Sequence, residues 1–133
     1  MHEVRLQLRW RDMDAYGHVN NAVYVNLLEE ARDGWVQEVL GPVADDVWHF
    51  VLARVAIDFR SELKQEDGEV LVRCRLESIG RSSIRTREEI RKVDGAVSAE
   101  AGSVIVPRDP ETGTSRPLTV GERAALEREL SSD

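Results

Sequence analysis

The first stretch of the chain alternates between apolar and polar side chains, and a period of two predicts a half-buried β-strand. The apolar positions are Val4, Leu6, Leu8 and Trp10, and the polar positions are Arg5, Gln7, Arg9 and Arg11. A polar loop over residues 12–20 follows this strand. From about Asn21 the apolar residues recur at helical spacing as far as Gly41-Pro42, which predicts one long helix that ends there.

The apolar stripe of this helix is wide, so other elements must cover it. The stripe consists of Tyr24, Leu27, Leu28, Ala31, Trp35, Val36, Val39 and Leu40. Gly34 lies inside the helix, where a glycine costs about 1 kcal/mol relative to alanine. We therefore expect another segment of backbone to pass close to Gly34.

Most of the remaining chain alternates again, which predicts four further strands. They cover residues 51–59, 70–77, 83–92 and 97–106. Turn signals separate the last three strands and precede the first of them. These signals are Asp67-Gly68, Gly80-Arg81 and Asp94-Gly95. Such short connections predict antiparallel hairpins, and residues 107–117 are predicted to form a loop.

Thr119 and Glu122 have the spacing of a capping box, which predicts a short C-terminal helix over about residues 119–130. The predicted order is therefore strand, long helix, four strands and short helix. A curved antiparallel sheet of about five strands wrapped around the long helix would bury its stripe, and this is an α+β fold. Residues 1–133 are predicted to form a single domain, because 41% apolar residues suffice for one core in a chain of this length.

The overall charge and the cysteine content narrow the possible functions. A net charge of −7 argues against nucleic-acid binding, which needs a basic surface. No apolar run approaches the roughly 18 residues of a membrane span, and the N-terminus shows no secretory signal. Cys74 is the only cysteine, so neither a disulfide nor a cysteine metal cluster is expected. These features predict a cytoplasmic protein that does not act at a membrane.

One short segment is nevertheless rich in basic residues. It contains Arg81, Arg85, Arg87, Arg91 and Lys92. Such a patch either contacts the phosphates of a ligand or forms the solvated face of a strand, and the sequence leaves both interpretations open.

The loop after the first strand carries the most specific motif of the chain. Residues 12–24 read Asp-Met-Asp-Ala-Tyr-Gly-His-Val-Asn-Asn-Ala-Val-Tyr. This run resembles the Asp-x-Asp-x-x-Gly-His-Val-Asn-Asn-x-x-Tyr motif of hotdog-fold thioesterases of the 4-hydroxybenzoyl-CoA thioesterase type. The resemblance extends over roughly residues 4–108, including residues 29–32, 58–61 and 80–83. It implies the hotdog fold and the hydrolysis of acyl-CoA thioesters.

The resemblance implies that Asp14 is the catalytic carboxylate. Asp14 would attack the thioester carbonyl as a nucleophile or take a proton from water as a general base, and the sequence does not separate these routes. The backbone N–H of Asn21 is the implied oxyanion donor, because a helix N-terminus offers free N–H groups. His18 would polarise the carbonyl or orient Asp14. Each residue also has a structural interpretation, as a turn residue, a capping residue or a packed loop histidine.

The resemblance also implies contacts to the acyl group and to coenzyme A. The candidates are Tyr16, Gly17, Tyr24, Arg60, Gly80, Arg81, Ser82 and Ser83. A glycine and small hydroxyl groups in residues 80–83 allow a pantetheine arm to approach, although an ordinary hairpin turn has the same composition. Tyr24 also fits the core of the helix, which we favour over a substrate wall.

Other polar residues near the motif have simpler interpretations. Asp12 is expected to support the loop or to pair with an arginine. Glu29 and Arg32 have i, i+3 spacing, which favours a structural ion pair over a second catalytic carboxylate. Cys74 alternates with apolar strand positions, so it is expected to be buried and inert.

The predicted function is hydrolysis of acyl-CoA thioesters by a homodimer or homotetramer, with active sites at the subunit interfaces as the resemblance implies. Coenzyme A is part of the substrate, and neither a separate cofactor nor a metal is expected. Two rivals stay open: hydrolysis of acyl groups on acyl carrier protein, and non-catalytic binding of acyl-CoA. Tyr16 replaces the Asn of the Asp-x-Asn-x-His pattern of plant acyl-carrier thioesterases, which weakens the first rival. A hotdog dehydratase would need a differently placed histidine with an acidic partner.

Overall fold

The structure is a computed structural model that describes residues 1–132, and it contains five strands and two α-helices in that range. The strands are β1 (His2–Gln7), β2 (Phe50–Phe59), β3 (Glu69–Ile79), β4 (Ile84–Lys92) and β5 (Val97–Pro107). The helices are α1 (Asn21–Leu40) and α2 (Val120–Ser132). Asp133, the last residue of the predicted domain, lies outside the described residues.

The five strands form one antiparallel sheet in the order β1-β3-β4-β5-β2. This sheet and the long helix α1 confirm the predicted α+β fold class. The strands β1, β2 and β4 all finish at the same end of the sheet, which we call the loop end because residues 12–20 follow β1 there. The turn of residues 80–83 joins β3 to β4 at the opposite end. No helix within residues 1–132 has the length and apolar content needed to cross a bilayer.

Helix α1 packs mainly against β1, β3 and β4 and leaves the edge strand β2 largely uncovered. Its stripe is buried as predicted, and Leu28, Ala31 and Trp35 are fully inaccessible. The expectation that backbone passes close to Gly34 was wrong. A Cβ at Gly34 would instead lie 2.3 Å from Nε2 of the His2 side chain, so the glycine makes room for an imidazole ring.

Trp10 does not point inward with the apolar residues of β1. The strand ends at Gln7, and residues 10–12 form a single 3-10 turn that leaves the Trp10 side chain 78% exposed. The cause is local. The Asp12 carboxylate accepts the Arg9 N–H at 2.8 Å, and this hydrogen bond stabilises a turn in place of the next residues of the strand.

The predicted ion pair between Glu29 and Arg32 is also wrong. Glu29 is exposed, whereas Arg32 lies on the buried side of α1 and donates from Nη1 to Oε1 of Glu88 on β4 at 2.9 Å. Ser103 donates to the same oxygen at 2.6 Å. Helix α1 is therefore tied to the inner face of the sheet by a buried charge pair.

The predicted capping box at the start of α2 is present. The Glu122 N–H donates to Oγ1 of Thr119 at 3.1 Å, and the Thr119 N–H donates to Oε1 of Glu122 at 2.9 Å. Arg116 holds both carboxylate oxygens of Glu122 at 2.9 Å. Burial raises the pKa of Glu122, but these hydrogen bonds outweigh it and lower the pKa overall.

Candidate active site

Residues 12–20 form a tight, hydrogen-bonded loop between β1 and α1. Met13 and Val19 pair across its base, and the Asp14 N–H donates to the His18 carbonyl at 2.9 Å. The Gly17 N–H returns to the Asp14 carbonyl at 3.3 Å, with a φ of 85° that glycine adopts without strain. The loop therefore brings the predicted pair Asp14 and His18 together.

The Asp14 carboxylate is oriented by the loop and stays accessible. Its Oδ1 accepts the Tyr16 N–H at 2.8 Å, which is the turn-stabilising role that an aspartate often has in a polar loop. Its Oδ2 lies 3.7 Å from Nδ1 of His18, and the side chain is 20% exposed. One carboxylate oxygen thus supports the turn and the other faces the histidine.

Asp12 supports the loop, as predicted. Both of its carboxylate oxygens accept from Arg9, and its carbonyl accepts the Asn20 N–H at 2.9 Å. Burial raises the pKa of Asp12, but the hydrogen bonds from the side chain and backbone of Arg9 outweigh it, so the pKa is lowered. Asp12 stays charged and fixes both ends of the loop.

The first turn of α1 presents a free backbone donor beside this loop. Asn20 is the N-cap, and its Oδ1 accepts the Ala22 N–H at 2.9 Å. The Val23 N–H donates to the Asn20 carbonyl. Asn21 is the first residue of the helix, and its N–H has no acceptor within the helix and no partner among residues 1–132. Of the first three N–H groups, it is the one left to bind an oxyanion.

A shallow hollow of about 260 Å³ lies next to these groups, and we call it the His18 hollow. Its wall includes His18, Asn21, Tyr24, Phe59 and Arg60. Asp14 is not part of this wall, and its carboxylate reaches the hollow through its approach to His18. Within one chain, therefore, the histidine and the first residue of α1 face the hollow directly.

Tyr24 belongs to the core, and it also forms part of this wall. Only 3% of the residue is exposed, and its hydroxyl accepts the Leu63 N–H at 3.2 Å. Its ring packs edge-on against Phe59 at 5.0 Å between centroids. The sequence did not single out Phe59 by itself, although it lies in the segment 58–61 and is half exposed at the hollow.

The residues predicted to bind coenzyme A fall into two groups that lie at opposite ends of the sheet. Tyr16, Gly17 and Arg60 are at the loop end. Residues 80–83 follow β3, whose 11 residues span about 33 Å at roughly 3.3 Å per step. One chain thus does not bring residues 80–83 to Asp14.

The turn of residues 80–83 is held by hydrogen bonds to other parts of the chain. The Gly80 carbonyl accepts from Nη2 of Arg123 at 2.8 Å, and the Arg81 carbonyl accepts the Leu118 N–H at 3.0 Å. A Cβ at Gly80 would lie 2.4 Å from Oγ of Ser83, so a larger residue there would require the Ser83 hydroxyl to rotate away. These contacts account for Gly80 without a ligand, while Arg81 stays exposed.

Three of the other basic residues of the predicted patch lie on the outer face of the sheet, whereas Lys92 lies opposite the buried Val70. Arg85, Arg87 and Arg91 alternate along β4 with buried neighbours, and Arg91 pairs with Glu89. This placement matches the solvated face of a strand. Cys74 is buried on the inner face, and burial raises the pKa of its thiol. Within residues 1–132, no group of three or more histidine, cysteine or acidic side chains is arranged to hold a metal ion.

Comparison with known proteins identifies one family. The model of the thioesterase-like superfamily matches residues 8–130. A thioesterase from Thermus thermophilus, solved with coenzyme A and zinc, is 31% identical, with a TM-score of 0.85 over 98% of this chain and 94% of that chain.

Two further solved structures are similar over nearly their whole length. A predicted thioesterase from Bacillus stearothermophilus is 26% identical, with a TM-score of 0.85 over 96% of this chain and 95% of that chain. A probable thioesterase from Escherichia coli is 26% identical, with a TM-score of 0.79 over 97% of this chain and 98% of that chain. No curated protein matches the chain significantly.

Proposed function

The chain belongs to the thioesterase-like superfamily, and from this premise we propose that it hydrolyses acyl-CoA thioesters to the free acid and coenzyme A. The observation that carries the proposal is that the family match, over residues 8–130, includes the loop that joins Asp14 to the first turn of α1. The relative from Thermus thermophilus was solved with coenzyme A, which supports a coenzyme A ester as the substrate.

Asp14 is the proposed nucleophile or general base. A carboxylate either attacks the thioester carbonyl, which expels the coenzyme A thiolate and leaves an anhydride for water to open, or removes a proton from the attacking water. The Oδ2 of Asp14 is the oxygen available for this, because the Tyr16 N–H already occupies Oδ1. His18, 3.7 Å away and facing the hollow, would orient Asp14 or donate a hydrogen bond to the carbonyl oxygen.

The N–H of Asn21 is the proposed oxyanion donor. It lies at the positive end of the α1 dipole, beside His18 in the wall of the same hollow. A single well-placed donor of this kind is worth about 3 kcal/mol in the transition state. The negative charge that develops on the carbonyl oxygen would thus be met by a group that is fixed before the substrate arrives.

A second copy of the chain is proposed to complete the site through β2. The inner face of this edge strand is apolar and largely uncovered by α1, with Leu52 40% and Phe59 49% exposed. Its outer edge also has backbone groups without a neighbouring strand. A strand of this kind is stabilised by pairing with an identical strand.

The charges of β2 favour antiparallel pairing with a second copy around Ala56. In that register Arg54 lies opposite Asp58 of the second copy, and the reverse pair forms by symmetry. The Phe50 end of one strand then lies near the Phe59 end of the other. Residues 80–83 and the groove beside Trp48 would therefore approach the His18 hollow of the second copy, which would unite the two groups of predicted contacts.

Hydrolysis of acyl groups on acyl carrier protein is one alternative. Tyr16 departs from the pattern of the plant acyl-carrier thioesterases, which favours free acyl-CoA as the substrate. Non-catalytic binding of acyl-CoA is the other alternative. It predicts binding of acyl-CoA without release of thiol. The cytoplasmic location stays a prediction.

A panel of acyl-CoA thioesters, assayed by thiol release, tests the proposed reaction. Aromatic, short-chain and long-chain esters are compared for the wild type, and each ester is also offered on acyl carrier protein. We expect turnover of at least one acyl-CoA and weaker turnover of the carrier-bound form. Binding of every ester by calorimetry without thiol release would support the non-catalytic alternative.

A charge reversal tests the proposed pairing of β2. Arg54→Glu is expected to weaken dimerisation by about 10-fold, because it creates two repulsive pairs across the interface. Adding Asp58→Arg restores both pairs and should restore the dimer, as measured by sedimentation. Arg85→Glu, on the outer face of β4 away from this edge, is the control. Equal effects of Arg54→Glu and Arg85→Glu would contradict the pairing.

A further inference from the structure

Two aromatic side chains in and next to the loop of residues 12–20 project into solvent. The chain contains 3 Trp, 2 Tyr and 2 Phe, and Trp10 is 78% exposed while Tyr16 is 84% exposed. Large aromatic groups contribute most to stability when buried, so neither of these adds appreciably to the core. The 3-10 turn of residues 10–12 directs Trp10 into solvent, and the hydrogen bond from the Arg9 N–H to the Asp12 carboxylate holds this turn.

The two rings border a broad, open hollow of about 600 Å³, which we call the Trp10 hollow. Its wall includes Trp10, Met13, Tyr16, Gly17, Glu62 and Lys64. The lining therefore combines a thioether and two aromatic rings with an ammonium group and a carboxylate. Lys64 has no ion-pair partner among residues 1–132, so its charge is available to a ligand.

The Trp10 hollow adjoins the proposed active site. Glu62 lies in the wall of both the Trp10 hollow and the His18 hollow. The Tyr16 ring is stacked on the His18 ring, with 6.3 Å between centroids and 18° between planes. A ligand whose reactive carbonyl lies at His18 can therefore extend past Tyr16 into the second hollow.

We propose that the Trp10 hollow binds the adenine nucleotide of coenzyme A, with the base stacked on Trp10 and Tyr16. The proposal rests on the proposed function and adds a site for the part of the substrate that is farthest from the thioester. Aromatic side chains stack on any nucleobase because each base has a π-face, and removal of one such ring weakens binding by about 10- to 100-fold.

The charges of the hollow assign the parts of the nucleotide. Glu62 and Glu66 accept hydrogen bonds, which suits the amino group of adenine and the ribose hydroxyls. The same carboxylates repel phosphate, and Lys64 is the cationic group of the lining that attracts it. Stacking supplies the affinity and the lysine supplies the orientation, since one ammonium offsets few phosphate charges.

The first test compares an acyl-CoA with the matching acyl-pantetheine thioester, which lacks the nucleotide. Trp10→Ala is expected to raise KM for acyl-CoA by about 10- to 100-fold, with kcat changed less than about 3-fold. KM for acyl-pantetheine should stay the same. Lys64→Gln should raise KM for acyl-CoA by a smaller factor. An equal rise for both thioesters would overturn the proposal, because the ring would then act through the loop.

The second test measures adenosine 3′,5′-bisphosphate, the nucleotide half of coenzyme A, without any hydrolysis. All measurements use the Trp48→Phe variant, because this substitution removes the other exposed tryptophan and its fluorescence. Binding should quench the fluorescence of Trp10 in this background, and Tyr16→Ala should weaken the binding.

The two tests separate this proposal from the proposed function. If nucleotide binding depends on Trp10 but the protein releases no thiol, the proposed nucleotide site is supported and the proposed hydrolysis is contradicted. If the wild type hydrolyses acyl-CoA and acyl-pantetheine with equal KM, the proposed nucleotide site is contradicted and the proposed hydrolysis is supported. A change of oligomeric state in Trp10→Ala, without loss of nucleotide binding, would assign the rings to a contact between copies and overturn the proposal.

Discussion

Two loops of this protein share nearly the same hydrogen bonding and differ in what surrounds them: residues 13–19 and residues 108–115. The second residue of each loop is an aspartate whose Oδ1 accepts the N–H two residues later, at 2.8 Å for Asp14 and 2.9 Å for Asp109. Each has a glycine with positive φ whose N–H returns to that aspartate's carbonyl, Gly17 in one and Gly113 in the other. A short antiparallel pair closes each loop.

The difference lies in the neighbours of the two aspartates. Asp14 faces a histidine and precedes a helix whose first N–H is free, and two exposed aromatic rings lie nearby. Asp109 is followed by proline, glutamate and threonine, and the next helix has its N-terminus occupied by Thr119 and Glu122. The aspartate turn is thus a structural device that the chain uses twice. Its chemical use depends on the histidine and the open helix end.

The largest difference between the loops is expected in catalysis. Asp14→Asn should lower kcat by about 10²- to 10⁴-fold, because asparagine keeps the hydrogen bond to the turn but neither attacks nor takes a proton. Asp109→Asn makes the same change in the twin loop and should leave kcat within about twofold of the wild type. Thiol release measures both, and thermal unfolding shows whether each variant is folded. Similar rates for the two variants would remove Asp14 from the mechanism.

A smaller difference is expected in the anchoring of the loops and its pH dependence. Asp12→Ala removes the hydrogen bonds to Arg9 and should lower the free energy of unfolding at pH 7 by about 1–3 kcal/mol. The pKa of Asp12 is lower in the folded state, so its stabilising effect is present above the ordinary aspartate range and is lost as pH falls through the folded value. The difference in stability between the wild type and Asp12→Ala, measured by urea unfolding, should therefore shrink as the pH is lowered below the ordinary aspartate range. A constant difference across pH would show that packing, not charge, anchors the loop.

The smallest expected effect concerns the two glycines. Gly17→Ala and Gly113→Ala each force a side chain into a left-handed conformation at a cost of about 1–2 kcal/mol, and no neighbouring atom within 4 Å adds to it. The two substitutions should thus lower stability equally in chemical denaturation. Only Gly17→Ala should also lower thiol release, because it shifts His18 relative to Asp14. A large gap between the two stabilities would mean that the loops are less alike than their hydrogen bonds suggest.

The alternating pattern, the helical stripe and the turn signals were enough to predict the fold. Each of these signals depends on neighbouring residues, and the structure follows them over four of the five strands and both helices. The exception is the first strand, where Trp10 fits the alternation but lies outside. There the hydrogen bond from the Arg9 N–H to the Asp12 carboxylate ends the strand before Trp10. The alternation of apolar and polar residues gives no sign of such a bond.

The candidate site was predictable only in part. The motif identified Asp14, His18 and Asn21 because they lie within a few residues of each other. It did not show that residues 80–83 lie at the other end of the sheet, because spacing in the sequence carries no information about strand direction. The partner of Arg32 was missed for a related reason, since Glu88 is 56 residues away and adjoins a second glutamate that points outward.

The buried pair of Arg32 and Glu88 also constrains how the sheet can assemble. A shift of β4 by one residue that brought Arg87 inward would turn Glu88 outward and leave the guanidinium of Arg32 enclosed beside a second guanidinium, without a carboxylate. Isolating a buried charge in this way costs about 3–5 kcal/mol, which is comparable to the whole stability of many small domains. Hairpins misaligned in this direction are thereby penalised during folding, because the buried arginine loses its carboxylate.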